Sequence, residues 1–242
     1  MTAAIGEHRV TSSKLTILSG GAAQGLVAAL AAEFKAATGC EIEGTFGAVG
    51  AMRDKLLAGT PADLLILTRA LIDELAVQGH VVAGSVANIG TVLTAVAVRS
   101  GDLAPDIGDA AGLRAALLAA DAIYFPDPKL ATAGIHFAKV IDRLRITVEV
   151  AQRIRTFPNG ATAMRELSAA RGGYTIGCTQ VTEILSTPGV QLVAPLPEGF
   201  ELATVYTAGV CTRAASPHQA SALAALLAGD TARAARERAG FV

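Results

Sequence analysis

The stretch Lys14-Leu-Thr-Ile-Leu-Ser-Gly-Gly21 is an apolar run that ends in two glycines. Such a run predicts a buried strand, and the serine and glycines at its end predict the turn that follows it. Beyond the turn, Leu26, Leu30 and Phe34 repeat at every fourth position. This spacing places the three side chains on one face of a helix, which we expect to stop near Gly39. A strand, a turn and a helix in this order form the first unit of an α/β fold.

The same alternation continues to the end of the chain. Further strands are predicted at residues 41–46, 61–67, 91–98, 122–125, 174–178, 190–193 and 202–212. Helical periodicity lies between them, including residues 109–120 and 148–154, and two alanine-rich helices follow Pro217. Because no flexible linker interrupts the alternation, we predict two lobes that share strands. Lobe 1 comprises residues 13–88 plus 213–242, and lobe 2 comprises residues 89–212.

Composition and charge exclude two classes of partner. The chain of 242 residues has 20 basic and 21 acidic side chains and a net charge of -1. Nucleic acid is not an expected partner, because its binding depends on clustered Lys and Arg. The uncharged stretch Val81–Val98 approaches the length of a membrane span, but Gly84, Asn88 and Gly90 interrupt it. We therefore predict a loop and a buried strand there, and no membrane span.

The N-terminal residues bear on localisation. Met1–Val10 contains Glu7, His8 and Arg9 at the place where a secretory signal has an unbroken apolar core. The three cysteines have no paired spacing, which favours a reducing compartment. We expect the chain as it stands to be cytoplasmic, and periplasmic if a signal was removed before this numbering begins.

Several stretches resemble the molybdate-type periplasmic solute-binding proteins of ABC importers. Ala58-Gly-Thr-Pro-Ala-Asp-Leu-Leu-Ile66 is similar to the AG.PADL signature of that family. Tyr206-Thr-Ala-Gly-Val210 and the closing Gly240-Phe-Val242 resemble its C-terminal end. The resemblance runs from about Leu15 to Val242. It implies a two-lobed α/β fold of the type II periplasmic-binding-protein class, with two crossing strands and the ligand in the cleft between the lobes.

In such a fold several helix N-termini face the cleft, where free backbone N–H groups favour an anion. Four turns rich in small residues precede those termini here: Gly20-Gly21, Gly47-Ala48-Val49, Thr132-Ala133-Gly134 and Asn159-Gly160. The alternative is that these glycines only make tight strand-to-helix turns. Four such turns in one chain favour a binding site.

The resemblance also indicates which oxyanion contacts are lost. Molybdate binders of this family use a serine from each of the first two turns and a tyrosine from the second lobe. Those positions fall here at Ala22, at Ala48 or Val49, and near Thr179. A buried dianion without these hydroxyl donors lacks coordination at a cost of several kcal/mol. We therefore do not expect molybdate or tungstate to be the ligand.

Other polar residues favour a carboxylate ligand. Thr68 and Arg69 follow the third strand at its carboxyl end, where open α/β sheets bind ligands. Arginine holds a carboxylate with two parallel hydrogen bonds. The alternative for Arg69 is a solvated charge on the next helix. Further neutral donors are available at Ser19, Thr132, Asn159, Thr179 and Gln180. We infer a small organic anion, a di- or tricarboxylate, as the ligand.

Two functions are compatible with this interpretation. The first is capture of the carboxylate, with an ABC permease as partner only if the chain is exported. The second is an isomerase without a cofactor or metal, because aconitate isomerases look like molybdate-type binding proteins and move a proton across an allylic system. Its candidate bases are His136, one turn into a predicted helix, and Asp127, after a strand end. The alternative for His136 is a half-exposed helix side chain, and the alternative for Asp127 is an ordinary turn residue.

Overall fold

The computed structural model describes residues 13–242 and contains the predicted alternation of strands and helices. The stretch Met1–Val10, on which the expected lack of a secretory signal depends, lies outside the described residues. The strands are β1 Ser13–Gly20, β2 Cys40–Gly47, β3 Leu64–Thr68, β4 Ala87–Arg99, β5 Ala122–Pro126, β6 Ile154–Phe157, β7 Thr175–Gln180, β8 Val190–Pro195 and β9 Ala203–Val210.

The helices follow the strands in the expected order. They are α1 Gln24–Thr38, α2 Val49–Leu57, α3 Arg69–Val77, α4 Ala110–Ala119, α5 Thr132–Arg143, α6 Thr147–Val150, α7 Gly160–Ala169, α8 Val181–Leu185, α9 Pro217–Ala228 and α10 Arg233–Ala239. In α1 the predicted face, Leu26, Leu30 and Phe34, is buried. The helix ends at Gly39, whose φ of 70° is the left-handed conformation that glycine adopts without strain.

The strands form one mixed sheet that runs through both lobes. Its order is β2-β1-β3-β9-β4-β7-β5-β6, and β8 also pairs with β4. β1 is parallel to β2 and β3, as expected for strands connected by helices. β5 is likewise parallel to β6 and β7. The carboxyl ends of the parallel strands in each half therefore carry the strand-to-helix turns that the sequence marks with small residues.

The long strand β4 joins the two halves of the sheet. Residues 87–93 of β4 pair with β9, and residues 94–97 pair with β7. Two apolar clusters pack against this sheet, and the first extends from the first half of the sheet to Met164 and Leu167 of α7. The first contains Leu15, Leu26 and Leu64 with the helices around them, and the second contains Phe125 and Phe137. The two-lobed α/β architecture is therefore confirmed, while the lobe boundaries at residues 88 and 212 stay predictions.

Two short elements were not predicted. The helix predicted at residues 148–154 is found as α6 and the 3-10 turn Ala151–Arg153 that follows it, and the edge strand β6 begins at Ile154. Pairing with β5 decides this strand. Helix α8 has five residues, which are too few to show a helical period in the sequence.

The uncharged stretch Val81–Val98 forms a loop followed by β4, as predicted. Within residues 13–242, no helix combines the length and the apolar character needed to cross a membrane.

Candidate functional site

A small cavity lies between the two lobes where several strand-to-helix turns meet. Its volume is about 20 Å³, far below the range of roughly 300–1,000 Å³ that is usual for small-molecule sites. This central cavity is lined by Gly21, Gly47, Ala48, Val49, Pro126, Ala131, Thr132, Ala133, Asn159, Gly160, Gln180, Glu183 and Tyr206. The four small-residue turns that the sequence singles out thus contribute to one site.

Two helices begin at the cavity wall without a side-chain cap. α2 begins after Ala48 and α5 begins after Ala131, and neither residue has a side chain that can accept from the first N–H groups. Uncapped N–H groups at a helix N-terminus favour an anion. The backbone N–H of Gly50 instead donates to the carbonyl of Leu130, over 3.1 Å. This hydrogen bond connects the start of α2 to the loop before α5.

A buried carboxylate, that of Glu183 on α8, forms part of the cavity wall. Only 5% of Glu183 is exposed. The Thr179 hydroxyl donates to Glu183 Oε2 over 2.5 Å, and the backbone N–H groups of Ala161, Gln180 and Gly160 also favour the charged form. Burial nevertheless dominates and raises the pKa of Glu183 above its usual value. The group is thus closer to protonation at neutral pH than an exposed glutamate.

Two glycines make room for the Glu183 carboxylate. A Cβ atom at Gly21, before α1, would collide with Glu183 Oε1. A Cβ atom at Gly160, the first residue of α7, would collide with Glu183 Oε2 and with the Thr179 hydroxyl. The carboxylate therefore lies between turns that are far apart in sequence. At these two turns the absence of a side chain on glycine lets the backbone lie close to the Glu183 carboxylate.

Two other residues in the cavity wall, Tyr206 and Gln180, are affected by burial. Burial raises the pKa of Tyr206, and the charge of Glu183 raises it further, so the phenol stays protonated. Gln180 is 2% exposed, and its Oε1 has no hydrogen-bond partner among the described residues. A buried acceptor without a partner is costly, and a ligand that carries a donor can satisfy it.

The structure brings together most of the residues predicted to bind the ligand. Those in the cavity wall are Gly21, Ala48, Val49, Thr132, Ala133, Asn159 and Gln180. Thr179 lies behind them and contacts Glu183. Gly20 is close to Val49 and Tyr206. Ser19 is fully buried, and its hydroxyl donates to the Gly20 carbonyl over 2.9 Å.

The remaining predicted residues lie outside the central cavity. The Arg69 guanidinium donates to Asp73, at 2.8 Å, and its side chain is 49% exposed. Asp127 Oδ1 accepts from the backbone N–H groups of Lys129 and Leu130, which makes it a turn residue in this structure. His136 Nε2 lies 2.7 Å from the Phe200 carbonyl oxygen.

A second pocket adjoins the central cavity and shares Val49 and Thr132 with it. This basic pocket has a volume of about 360 Å³ and is lined by Val49, Gly50, Arg53, Thr68, Leu71, Lys129, Leu130, Thr132, Ile135, His136, Lys139 and Leu202. It contains the predicted residues Thr68 and His136. Arg53, Lys129 and Lys139 give it three cations, and its lining contains no acidic residue. Within residues 13–242, Lys129 and Lys139 form no ion pair.

Sequence reasoning missed Glu183, Tyr206 and the three cations of the basic pocket. One signal for Glu183 was available, because Thr179-Gln-Val-Thr-Glu183 places a hydroxyl and a carboxylate four residues apart directly after a buried strand. Within the described residues, no group of three His, Cys, Asp or Glu side chains could hold a metal ion.

Comparisons with known proteins agree with the two-lobed α/β fold. The sequence model of one family, described as bacterial extracellular solute-binding protein, matches residues 15–242. An aconitate isomerase from Pseudomonas sp. is 26% identical over 235 residues, which cover 94% of this chain and 87% of that protein.

Two solved structures show the same fold. The periplasmic molybdate-binding protein of Azotobacter vinelandii superposes with a TM-score of 0.76 at 19% identity, covering 94% of this chain and 98% of that one. A sulfate-binding protein from Mycobacterium tuberculosis gives 0.73 at 18% identity, covering 95% of this chain and 86% of that one. At these identities the likeness concerns the fold alone.

Proposed function

Because this chain belongs to the family of bacterial extracellular solute-binding proteins, we propose that it binds a small di- or tricarboxylate in the cleft between its lobes. The observation that carries this proposal is the basic pocket next to the central cavity, whose lining has three basic side chains and no acidic one. Lys129 and Lys139 form no ion pair among the described residues, whereas Arg53 is paired with Asp54 over 2.7 Å. Charge-assisted hydrogen bonds from Lys and Arg to carboxylates are among the stronger polar contacts in proteins.

The two spaces suit two parts of one ligand. In this proposal one carboxylate enters the central cavity, where the N-termini of α2 and α5 have no side-chain cap. The cavity is too small for much more than that group, so the rest of the ligand extends past Val49 and Thr132 into the basic pocket. The unpartnered Gln180 Oε1 supports a bound group with a donor, such as a hydroxyl.

The test measures affinity against ligand charge. Calorimetric titrations with citrate, cis-aconitate, malonate and acetate compare the parent protein with Lys129→Gln and Lys139→Gln. Each replacement is expected to weaken tricarboxylate binding about tenfold, the equivalent of one charge-assisted hydrogen bond, and to change acetate binding little. Lys55→Gln is the matched control, because Lys55 is exposed on α2 and does not line either space. Tricarboxylate affinity within twofold of the parent in both variants would exclude this role.

A second function, isomerisation without a cofactor, is favoured by Glu183. A carboxylate with a raised pKa in a cavity wall suits proton transfer near neutral pH. In the proposed reaction a base removes a proton from one carbon, the double bond moves to the adjacent position, and a proton is returned to the far carbon. Substrate and product have the same composition. The 26% identical aconitate isomerase supports this candidate.

The candidate bases differ in their position relative to the cavity. Glu183 lies in its wall, His136 lines the adjoining basic pocket, and Asp127 is hydrogen-bonded within a turn. In this proposal Glu183 is the first choice for the proton carrier and His136 the second.

A proton NMR time course in deuterated buffer tests the reaction, with cis-aconitate and then trans-aconitate as substrate. We expect the other isomer to appear with solvent deuterium incorporated, and Glu183→Gln to lower the rate at least 100-fold. Glu166→Gln, an exposed glutamate on α7, is the control and should retain the rate. Absence of conversion by the parent protein would leave binding as the function.

If the chain is exported, we propose that it is located in the periplasm and that its partner is an ABC permease.

A further inference from the structure

We propose that the Glu183 carboxylate is a built-in anion that fills the space between the N-terminus of α7 and the Gly21 turn in the cleft, so that the protein rejects inorganic tetrahedral oxyanions. This inference rests on the proposed function, the binding of an organic anion. It adds the residue that determines which class of anion binds.

The carboxylate has the surroundings of a bound anion. Glu183 Oε2 accepts from the Thr179 hydroxyl at 2.5 Å, and the backbone N–H groups of Gly160 and Ala161 at the start of α7 favour the charged form of the carboxylate. A helix N-terminus with a neighbouring hydroxyl is a common arrangement for holding phosphate, sulfate or carboxylate. Here the protein fills it with its own side chain.

The space around the carboxylate is fitted to it from both lobes. The backbone at Gly21 and at Gly160 approaches so closely that a methyl group at either position would collide with its oxygens. With 5% of Glu183 exposed, the carboxylate fills this space. A second anion at the same place would collide with the carboxylate that fills the space. When Glu183 is ionised, the second anion would also lie against a buried negative charge, which is strongly unfavourable in a low-dielectric site.

Neighbouring residues show why a ligand still binds beside it. Gln180 Oε1 is a buried acceptor without a partner among the described residues, and it belongs to the same cavity wall. The N-termini of α2 and α5 line the same cavity as the N-terminus of α7, and no side chain caps them. An organic acid with a hydroxyl or a protonated edge toward Glu183 and Gln180 satisfies these groups, whereas a fully charged oxyanion does not.

Emptying the position tests the proposal. Glu183→Ala removes atoms that correspond to one acetate ion and leaves the Thr179 hydroxyl and the α7 N–H groups without an acceptor. We expect acetate, sulfate and molybdate each to raise the melting temperature of this variant in proportion to the logarithm of their concentration. Glu183→Gln keeps the space filled and should show no such rise, and Glu166→Ala serves as the surface control.

Two outcomes would overturn the proposal. One is a Glu183→Ala variant that gains no more from these anions than Glu183→Gln does. The other is micromolar binding of sulfate or molybdate by the parent protein, which is decisive even if the alanine variant does not fold. Neither readout uses a polycarboxylate, so failure here is distinct from failure of the proposed function.

Discussion

Asp63 and Glu183 are both buried carboxylates, yet their surroundings shift their pKa values in opposite directions. Asp63 is 3% exposed and Glu183 is 5% exposed. Burial alone would raise the pKa of Asp63, but hydrogen bonds from Thr16 and the backbone N–H of Ser216 outweigh it and hold the pKa below its usual value. At Glu183 the burial outweighs the donors.

The difference separates a structural carboxylate from a site carboxylate. Asp63 belongs to the Ala58–Ile66 signature and joins β1 to the residue before α9, at 2.8 Å from Thr16 N and 2.9 Å from Ser216 N. It connects parts of one lobe that are distant in sequence. Glu183 instead lies at a cavity between lobes and keeps a tendency to bind a proton. Donor strength relative to burial, and not burial itself, distinguishes the two roles.

The largest effect is expected at Asp63. Asp63→Asn should lower the free energy of unfolding by about 3 kcal/mol at pH 7, because an amide cannot accept from all of the buried donors. Urea unfolding measures this change, with the exposed Asp142→Asn as control. The pKa of Asp63 is lowered, so its stabilising effect is present above the unfolded pKa of about 3.9 and is lost as the pH falls through the folded value. A variant as stable as the parent at pH 7 would contradict the structural role.

The second largest loss of stability is expected when a methyl group is added next to the Glu183 carboxylate. Gly160→Ala places a methyl group against Glu183 and Thr179, and overpacking of this kind costs about 2 kcal/mol. The same variant should lose polycarboxylate affinity in a calorimetric titration. Gly25→Ala is the control, because its methyl group would lie 3.5 Å from Ser186 Cβ, an ordinary contact. Equal stability of the two alanine variants would show that the carboxylate has room to move.

The pH dependence of stability compares the two carboxylates directly. The pKa of Glu183 is raised, so its contribution to stability is fully present below the unfolded pKa of about 4.3 and is lost as the pH rises through the folded value. Glutamine does not titrate. The stability of Glu183→Gln relative to the parent should therefore increase between pH 5 and pH 8, by about 1 kcal/mol. Urea midpoints across this range measure it, and a constant difference would contradict a raised pKa.

The smallest effect is expected at Arg69, which lies in the same lobe as Asp63. Its ion pair with Asp73 is half exposed, and exposed pairs contribute at most about 1 kcal/mol. Arg69→Gln should therefore change the unfolding free energy by about 0.5 kcal/mol or less and leave ligand affinity within about twofold. A tenfold loss of affinity would restore the sequence-based prediction of a carboxylate clamp.

Much of the fold could be predicted because its signals are local. Leu26, Leu30 and Phe34 mark the buried face of α1, and Gly39 marks its end within a few residues of the chain. The short elements β6 and α8 could not be predicted in the same way. Pairing with β5 decides β6, and α8 has too few residues to show a period.

The candidate site was predicted in outline, because small residues after strands mark the turns that line the central cavity. Its chemistry depends on distant contacts. Gly21 and Gly160 lie far apart in sequence, and only the folded chain shows that both face Glu183. For Arg69 the competing partner Asp73 is four residues away, a spacing that sequence alone could have weighed.

The hydrogen bond between Gly50 N and the Leu130 carbonyl joins the start of α2 to the loop before α5, in the wall of the basic pocket. If the lobes separate to release a ligand, this contact has to break, and openings of this kind occur in microseconds to milliseconds in many proteins. Two ligands of different affinity would then share one upper limit on their dissociation rate, which is the rate of opening. Their residence times would differ by the fraction of openings that end in escape instead of reclosure.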